Sequence, residues 1–359
     1  MAEAWIRGHP ASLQAAVDAA AVLLCASRMP VIAGLGTDVA GARAAISLAR
    51  KVRGAIDHMH AAALLRDLDI MRQSGMMLTT PNEARLRADL LLLVGPALTE
   101  AWPDLTARLL APRHDGAPRR IVWLCSGHAT DGATPNASII GDSPAELPTT
   151  LAALRAFCAR RPVVAQDAPT LSALAAELAQ ARFGVAVWSA DALDHLTLEM
   201  LCGLVKDLNA STRFSGLPLA PPDNAAGVQQ TSGWLTGFPL RTGFCRGYAE
   251  HDPWRFDAVR LVESGEADCA VWISAYRTQA PAWQRAVPLI ALAPASSDLA
   301  RAADVAFAVG RPGIDHDGIE QSAATGALTA LNASAPADAN SVAAVIDHIR
   351  AALPAEPPC

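Results

Sequence analysis

VIAGLGTDVAGARAAISLARKVRGAIDHMHAAA, from Val31 to Ala63, reads as a buried strand, a glycine turn, a helix and the start of a second strand. The apolar run 31–35 breaks at Gly36-Thr37-Asp38, where the chain must turn. Ile46, Leu48, Ala49 and Val52 then recur on one helical side, and Gly54 closes the helix. Ala55-Ile56-Asp57 returns to the sheet. A strand that is apolar on both faces and hands over to a helix belongs to an α/β layer structure, with the sheet covered on each side.

Working outward, residues 13–25 have the pattern of an amphipathic helix, and apolar runs at 90–94, 121–125, 185–188, 270–273, 289–292 and 305–309 repeat the buried-strand signature. Helical stretches separate most of them. An aspartate precedes three of these runs, in Arg87-Ala88-Asp89, Glu266-Ala267-Asp268 and Arg301-Ala302-Ala303-Asp304, where a carboxylate suits the turn from helix to strand. Turn-rich segments fall at 115–119, 130–144 and 217–247. The last is rich in glycine and proline and is expected to be a functional or interface-forming loop. The end of the chain, LPAEPPC from Leu353, is expected to be disordered.

At 359 residues one compact core is too large, so two lobes are expected. The chain is 52% hydrophobic with only 5% aromatic residues, the composition of a packed, alanine-rich α/β protein. A net charge of -6 and the lack of a basic stripe interleaved with aromatics argue against nucleic-acid binding. The apolar stretch 19–26 is far below the roughly 18 residues of a bilayer span. The N-terminus, with Glu3, Arg7 and Pro10, lacks the pattern of an export signal, so neither a membrane nor export is expected and the cytoplasm is the expected location. Seven cysteines, at 25, 125, 158, 202, 245, 269 and 359, stand singly without a C-x-x-C pair and read as reduced thiols.

Four constellations bear on chemistry. Gly34-Leu35-Gly36 is a fragment of the dinucleotide fingerprint, but Val39 stands where its third glycine belongs, and Asp38 would oppose a pyrophosphate at the helix start. His58-Met59-His60 offers two imidazoles without a third ligand in sequence. Asp315-His316-Asp317-Gly318 is a titratable loop in which a carboxylate could orient an imidazole. Cys125-Ser126-Gly127-His128 lacks the G-x-S-x-G elbow, which disfavours a hydrolase. Aromatics at Trp234, Phe238, Phe244, Tyr248 and Trp254 fit either core filling or partner contact.

Further signatures follow in order: the passage from Arg50 to Gly54-Ala55-Ile56-Asp57, Arg87-Ala88-Asp89, Asn224-Ala225-Ala226-Gly227 with Gln229-Gln230, Trp234-Leu235-Thr236-Gly237-Phe238-Pro239, Arg246-Gly247-Tyr248 and Pro312-Gly313-Ile314-Asp315-His316. In this order, over about residues 12–330, the chain resembles the B subunit of formylmethanofuran dehydrogenase, in the molybdopterin oxidoreductase superfamily. The resemblance implies two doubly wound, mainly parallel-sheet α/β lobes of the molybdopterin oxidoreductase type. Residues 1–60 with 180–350 would form the first lobe, 61–179 the inserted second, and 351–359 a disordered tail.

Catalytic members carry a cysteine-rich segment for an iron-sulfur cluster and a cysteine that ligates tungsten or molybdenum. Here no cysteine precedes Cys25, and the ligand position falls near Ala63, whose side chain has no donor atom. Molybdopterin, tungsten or molybdenum, the iron-sulfur cluster and its domain are all expected to be lost, leaving no catalytic residues and no metal site. Gly34, Gly36, His58, His60, Asn224, Gly227, Arg241, Arg246, Asp315 and His316 would line a vestigial crevice.

A protein of this kind without redox parts is similar to the B subunits of bacterial formyltransferase/hydrolase complexes. Such complexes move a formyl group from formyl-tetrahydromethanopterin to a methanofuran-type carrier and release formate in one-carbon (formaldehyde) oxidation. The expected partners are a formyltransferase, an amidohydrolase-like hydrolase and a further structural subunit, with Trp234, Trp254 and Trp283 contributing to contact surfaces. Two alternatives stay open. One is an active molybdenum or tungsten subunit using His58 or His60. The other is a binding module for a pterin or an anionic carrier tail met by Arg241 and Arg246.

Overall fold

A computed structural model describes residues 3–96, 98–111, 113, 115–127, 137–141, 143–164, 167–294, 298 and 302–355. The chain opens with β1 (Ala4–Ile6), β2 (His9–Ala11), α1 (Leu13–Ala26), β3 (Pro30–Gly36), α2 (Val39–Lys51) and β4 (Ala55–Ile56). There follow α3 (Ala61–Ser74), α4 (Pro81–Arg87), β5 (Leu90–Val94), α5 (Leu98–Ala101), α6 (Pro103–Leu110), β6 (Arg120–Leu124), β7 (Ala137–Ile140), α7 (Leu147–Cys158), α8 (Ala168–Leu178), β8 (Gly184–Trp188), α9 (His195–Leu208) and β9 (Phe214–Pro218). The remainder comprises α10 (Ala225–Thr236), β10 (Thr242–Gly243), β11 (Glu250–His251), α11 (Ala258–Glu263), β12 (Cys269–Ser274), β13 (Leu289–Ala293), β14 (Val305–Ala308), β15 (Gly318–Ser322), β16 (Ala327–Leu331) and α12 (Val342–Ala352).

Two compact units result. The first holds residues 1–65, 221–321 and 328–359, the second residues 66–220 and 322–327. The first unit returns at Pro221, not at about 180 as expected, because β8 pairs with β5 and β9 with β8 in the second unit's sheet. β9 escapes a search for apolar runs because Ser215, Gly216 and Pro218 interrupt it.

In the first unit the sheet order is β11-β10-β4-β3-β12-β13-β14-β1-β2, with β4 through β14 parallel and the outer strands antiparallel. Its central strands alternate between two apolar layers. Ile32, Val271, Ile290 and Val305 face one apolar layer, which they share with α1, α2, α10 and α12. Ala33, Trp272, Ala291 and Ala306 face another, with Leu261 and Val262 of α11. A sheet buried on both faces follows, as the apolar runs require. The second unit has an all-parallel sheet, β7-β6-β5-β8-β9.

The aspartates before the strands act as register pins. Asp89 accepts the Arg182 and Phe183 N–H groups at 2.9 and 3.0 Å, holding β8 against β5. Asp268 accepts from Arg28 and Met29 at 2.9 and 3.1 Å and so fixes the start of β3, while Asp304 accepts from Leu289 at 3.0 Å and fixes β13. Each carboxylate satisfies backbone donors that a strand end would otherwise leave open.

The glycine- and proline-rich passage 217–247 is not one long loop. Its middle is α10, in which Thr231 and Thr236 donate their hydroxyls to the carbonyls of Gly227 and Ser232 at 2.8 and 2.7 Å. Small residues at 225–227 let this helix pack against α2. At the chain's end α12 runs to Ala352 and Leu353 is buried, so the expected disorder does not hold for 351–353, and residues 356–359 lie outside the described residues.

Candidate functional site

The site of interest lies at the carboxyl ends of β3, β4 and β12. From β3 the chain runs to β4 on one side and later to β12 on the other, a topological switch point where open α/β sheets bind ligands. Gly34-Leu35-Gly36 is part of β3 and not a phosphate turn. The register against β12 shifts between Trp272 and Ser274, so that Gly34 and Leu35 together oppose Ile273 in a bulge. Gly34 has φ +78, and a Cβ there would lie 2.5 Å from the Ile273 carbonyl oxygen. Only glycine fits.

Asp38 caps α2, accepting the Gly41 N–H at 2.9 Å. The helix N-terminus therefore carries its own anion. Gly36 leaves room that Met59 and Asp223 fill, since a Cβ on it would be 3.1 Å from Met59 Cε and 3.5 Å from Asp223 Cβ.

His58, His60 and Asp223 come together here. The His60 N–H donates to His58 Nδ1 at 3.0 Å, so His58 carries its proton on Nε2 and donates it to the Asp223 carbonyl at 3.2 Å. Both His58 nitrogens are thus in use and none is free for a metal. Burial pushes its pKa down to about 3, so the ring is neutral. His60 Nε2 lies 3.3 Å from Asp223 Oδ2, and Arg277 donates to the same oxygen from Nε and Nη2 at 2.9 and 2.7 Å. Burial works to raise the Asp223 pKa, but the His60 hydrogen bond and the Arg277 charge outweigh it and hold it below the ordinary carboxylate range. Asp223 and Asn224 both sit in the left-handed region, φ 58 and 57. Asn224 donates to the Thr37 carbonyl and accepts the Gln321 N–H, both at 2.9 Å, and Gly227 is needed because a Cβ would lie 2.1 Å from Asn224 Oδ1.

Beside this cluster, a cavity of about 90 Å³ is lined by Gly34, Asp57, His58, Arg241, Trp272 and Trp283 among others. Asp57 Oδ2 accepts the Ala258 N–H at 2.9 Å and lies 3.5 Å from Arg241 Nε, while Oδ1 has no partner. Burial lifts the Asp57 pKa to about 7, against the pull of Arg241. Arg241 itself bridges Asp257 at 2.5 Å and the Pro253 carbonyl at 2.7 Å, so its guanidinium is committed within the fold.

The remaining expected residues are not brought to this cluster. Arg246 pairs with Glu250 at 3.3 Å and is 60% exposed. Asp315 accepts from Arg311 instead of orienting His316, whose Nδ1 lies 2.6 Å from the Asp317 carbonyl oxygen. Ala63 is buried early in α3 and offers no donor. His128 lies outside the described residues. Among the described residues no three His, Cys, Asp or Glu side chains are grouped to hold a metal, and no helix is long and apolar enough to cross a membrane. Trp283, expected at a contact surface, is buried edge-on against Trp272, ring centroids 5.3 Å apart. Phe244 is also core, whereas Trp234, Phe238, Tyr248 and Trp254 are exposed.

Sequence reasoning missed Asp57, Asp223, Asp257 and Arg277. Asp57 had a signal, since an acid about 20 residues past Gly-x-Gly is the ribose-binding position of a dinucleotide fold.

The chain matches no protein-family model. It is 36% identical to the Fhc B subunit of the formyltransferase/hydrolase complex from Methylorubrum extorquens, over 97% of each chain. It is 25% identical to the B subunit of the tungsten-containing formylmethanofuran dehydrogenase 2 of Methanocaldococcus jannaschii, over 85% of this chain and 75% of that one. A chain in the solved structure of the formyltransferase/hydrolase complex FhcABCD from Methylorubrum extorquens, in complex with methylofuran, superposes with a TM-score of 0.88 at 35% identity, covering 97% of this chain and 98% of that one. Identity at this level along the whole length, with the same fold, places the chain in the family of B subunits of formyltransferase/hydrolase complexes.

Proposed function

We propose that this chain is a non-catalytic structural subunit of a cytoplasmic formyltransferase/hydrolase complex, assembling with a formyltransferase, an amidohydrolase-like hydrolase and a further structural subunit. The complex would pass a formyl group from formyl-tetrahydromethanopterin to a methanofuran-type carrier and release formate. The observation that carries this reading is the full-length likeness to a subunit of FhcABCD, at both sequence and fold level.

The residues at the switch point do not fit the metal and pterin of the dehydrogenases. Ala63 has no donor, His58 has no free lone pair, and the space against Gly36 is taken by Met59 and Asp223. We therefore assign this chain no metal, no molybdopterin and no catalytic group. Hydrolysis of a formyl group transfers no electrons, so a scaffold without redox parts is chemically consistent with that pathway.

The test is purification of the native complex through a tag on this chain, with identification of its companions, metal analysis, and assay of formyl transfer and hydrolysis. Co-purification of a formyltransferase and a hydrolase without stoichiometric tungsten or molybdenum is expected. Turnover by this chain alone, or stoichiometric metal with bound pterin, would overturn the proposal.

A further inference from the structure

Ligands of open α/β sheets enter at the switch point because backbone N–H groups at a helix start and cationic side chains converge there. In this chain both kinds of partner are present, and both are already engaged by carboxylates of the same chain. Asp38 takes the Gly41 N–H at the start of α2. Asp223 takes Arg277 and His60, and its side chain is only 5% exposed. Its backbone carbonyl accepts from His58, and its Cβ stands over Gly36, where a bound group would need to approach the strand.

Holding Asp223 in place has a visible conformational cost. Two consecutive non-glycine residues, Asp223 and Asn224, adopt left-handed backbone angles, and such strain persists only where surrounding contacts enforce it. The Asn224 side chain supplies that enforcement by tying Thr37, next to Gly36, to Gln321.

We propose that Asp223 is a built-in plug, an internal anion that closes the switch-point crevice by occupying the cationic contact of Arg277, beside the His60 ring, which an anionic ligand would otherwise use. The plug is a property of the first unit alone and does not depend on which assembly the chain joins.

The prediction is a gain of binding on substitution. The purified wild-type chain is titrated with inorganic pyrophosphate by calorimetry and with 6-hydroxymethylpterin by its fluorescence, and neither should bind saturably in the millimolar range. Asp223→Ala should melt at lower temperature and bind pyrophosphate at least about tenfold more tightly than wild type, the gain expected from one freed charge-assisted contact. Adding Arg277→Ala should abolish that gain. Asp223→Asn keeps the shape and removes the charge, and it should show the same gain if the alanine variant does not fold. Saturable binding of either probe by the wild type overturns the proposal. So does a folded Asp223 variant that takes no pyrophosphate.

Discussion

Asp57→Asn should make the stability of this chain rise with pH relative to the wild type. Two buried groups beside the cavity are displaced in opposite directions. Native Asp57 keeps its proton up to about pH 7, whereas the unfolded carboxyl loses it near 3.8, so the native state binds the extra proton between these values and its stability falls as pH rises through them. Native His58 stays neutral down to about pH 3, whereas the unfolded imidazole protonates below 6.5, so its contribution rises with pH over that window. Each proton is worth about 1.4 kcal/mol per pH unit. From about pH 4 to 6.5 the two slopes oppose and nearly cancel. Asp57→Asn removes one, and stability relative to wild type should climb by about 3 kcal/mol across that interval. His58→Gln removes the other and should make stability relative to wild type fall by a similar amount. The assay is urea unfolding followed by tryptophan fluorescence at half-unit steps from pH 4 to 7.5, read as differences from wild type so that the remaining titrations drop out. Curves for both variants that run parallel to wild type would refute the reasoning.

Gly34→Ala should cost about 2–4 kcal/mol in thermal or urea unfolding, because the new Cβ meets the Ile273 carbonyl oxygen and the left-handed φ disfavours any side chain. Asn224→Ala leaves the Thr37 carbonyl and the Gln321 N–H without their partner and places alanine at φ 57, for an expected loss of about 2–4 kcal/mol by the same measurement. Trp234→Ser with Trp254→Ser should raise the solubility of the isolated chain, seen as a higher concentration before light scattering increases, since both rings are exposed at 60% and 70%, and should lower its melting temperature only slightly, through loss of the Arg260 contact 4.3 Å over the Trp254 ring.

Much of the architecture was legible in the sequence because buried parallel strands leave uninterrupted apolar runs. The runs at 90–94 and 289–292 correspond closely to β5 and β13, and the aspartates before strands hydrogen-bond as their position suggests. Strands without such runs were invisible. β9 is broken by Ser215 and Gly216, and α10 carries two glycines, two threonines and a serine, which favour a loop in isolation. At the site, the histidines and Asn224 stood out by type, but their meaning depended on partners far along the chain. Asp223 is 165 residues from His58, and nothing local marks it as the group that closes the crevice. Arg241 looked available for an anion, yet its two acidic partners, Asp57 and Asp257, occupy it.

The discontinuity of the first unit bears on how the chain emerges from the ribosome. β3, an interior strand of its sheet, is pinned at its start by Asp268 and flanked by β12, both of which are synthesised more than 200 residues later. The second unit, by contrast, has its whole sheet by Pro218. Synthesis order therefore lets the inserted unit complete its sheet while the apolar strand before it still waits for a neighbour, and the exposed β3 edge during that interval is the natural target for a chaperone or for misassembly.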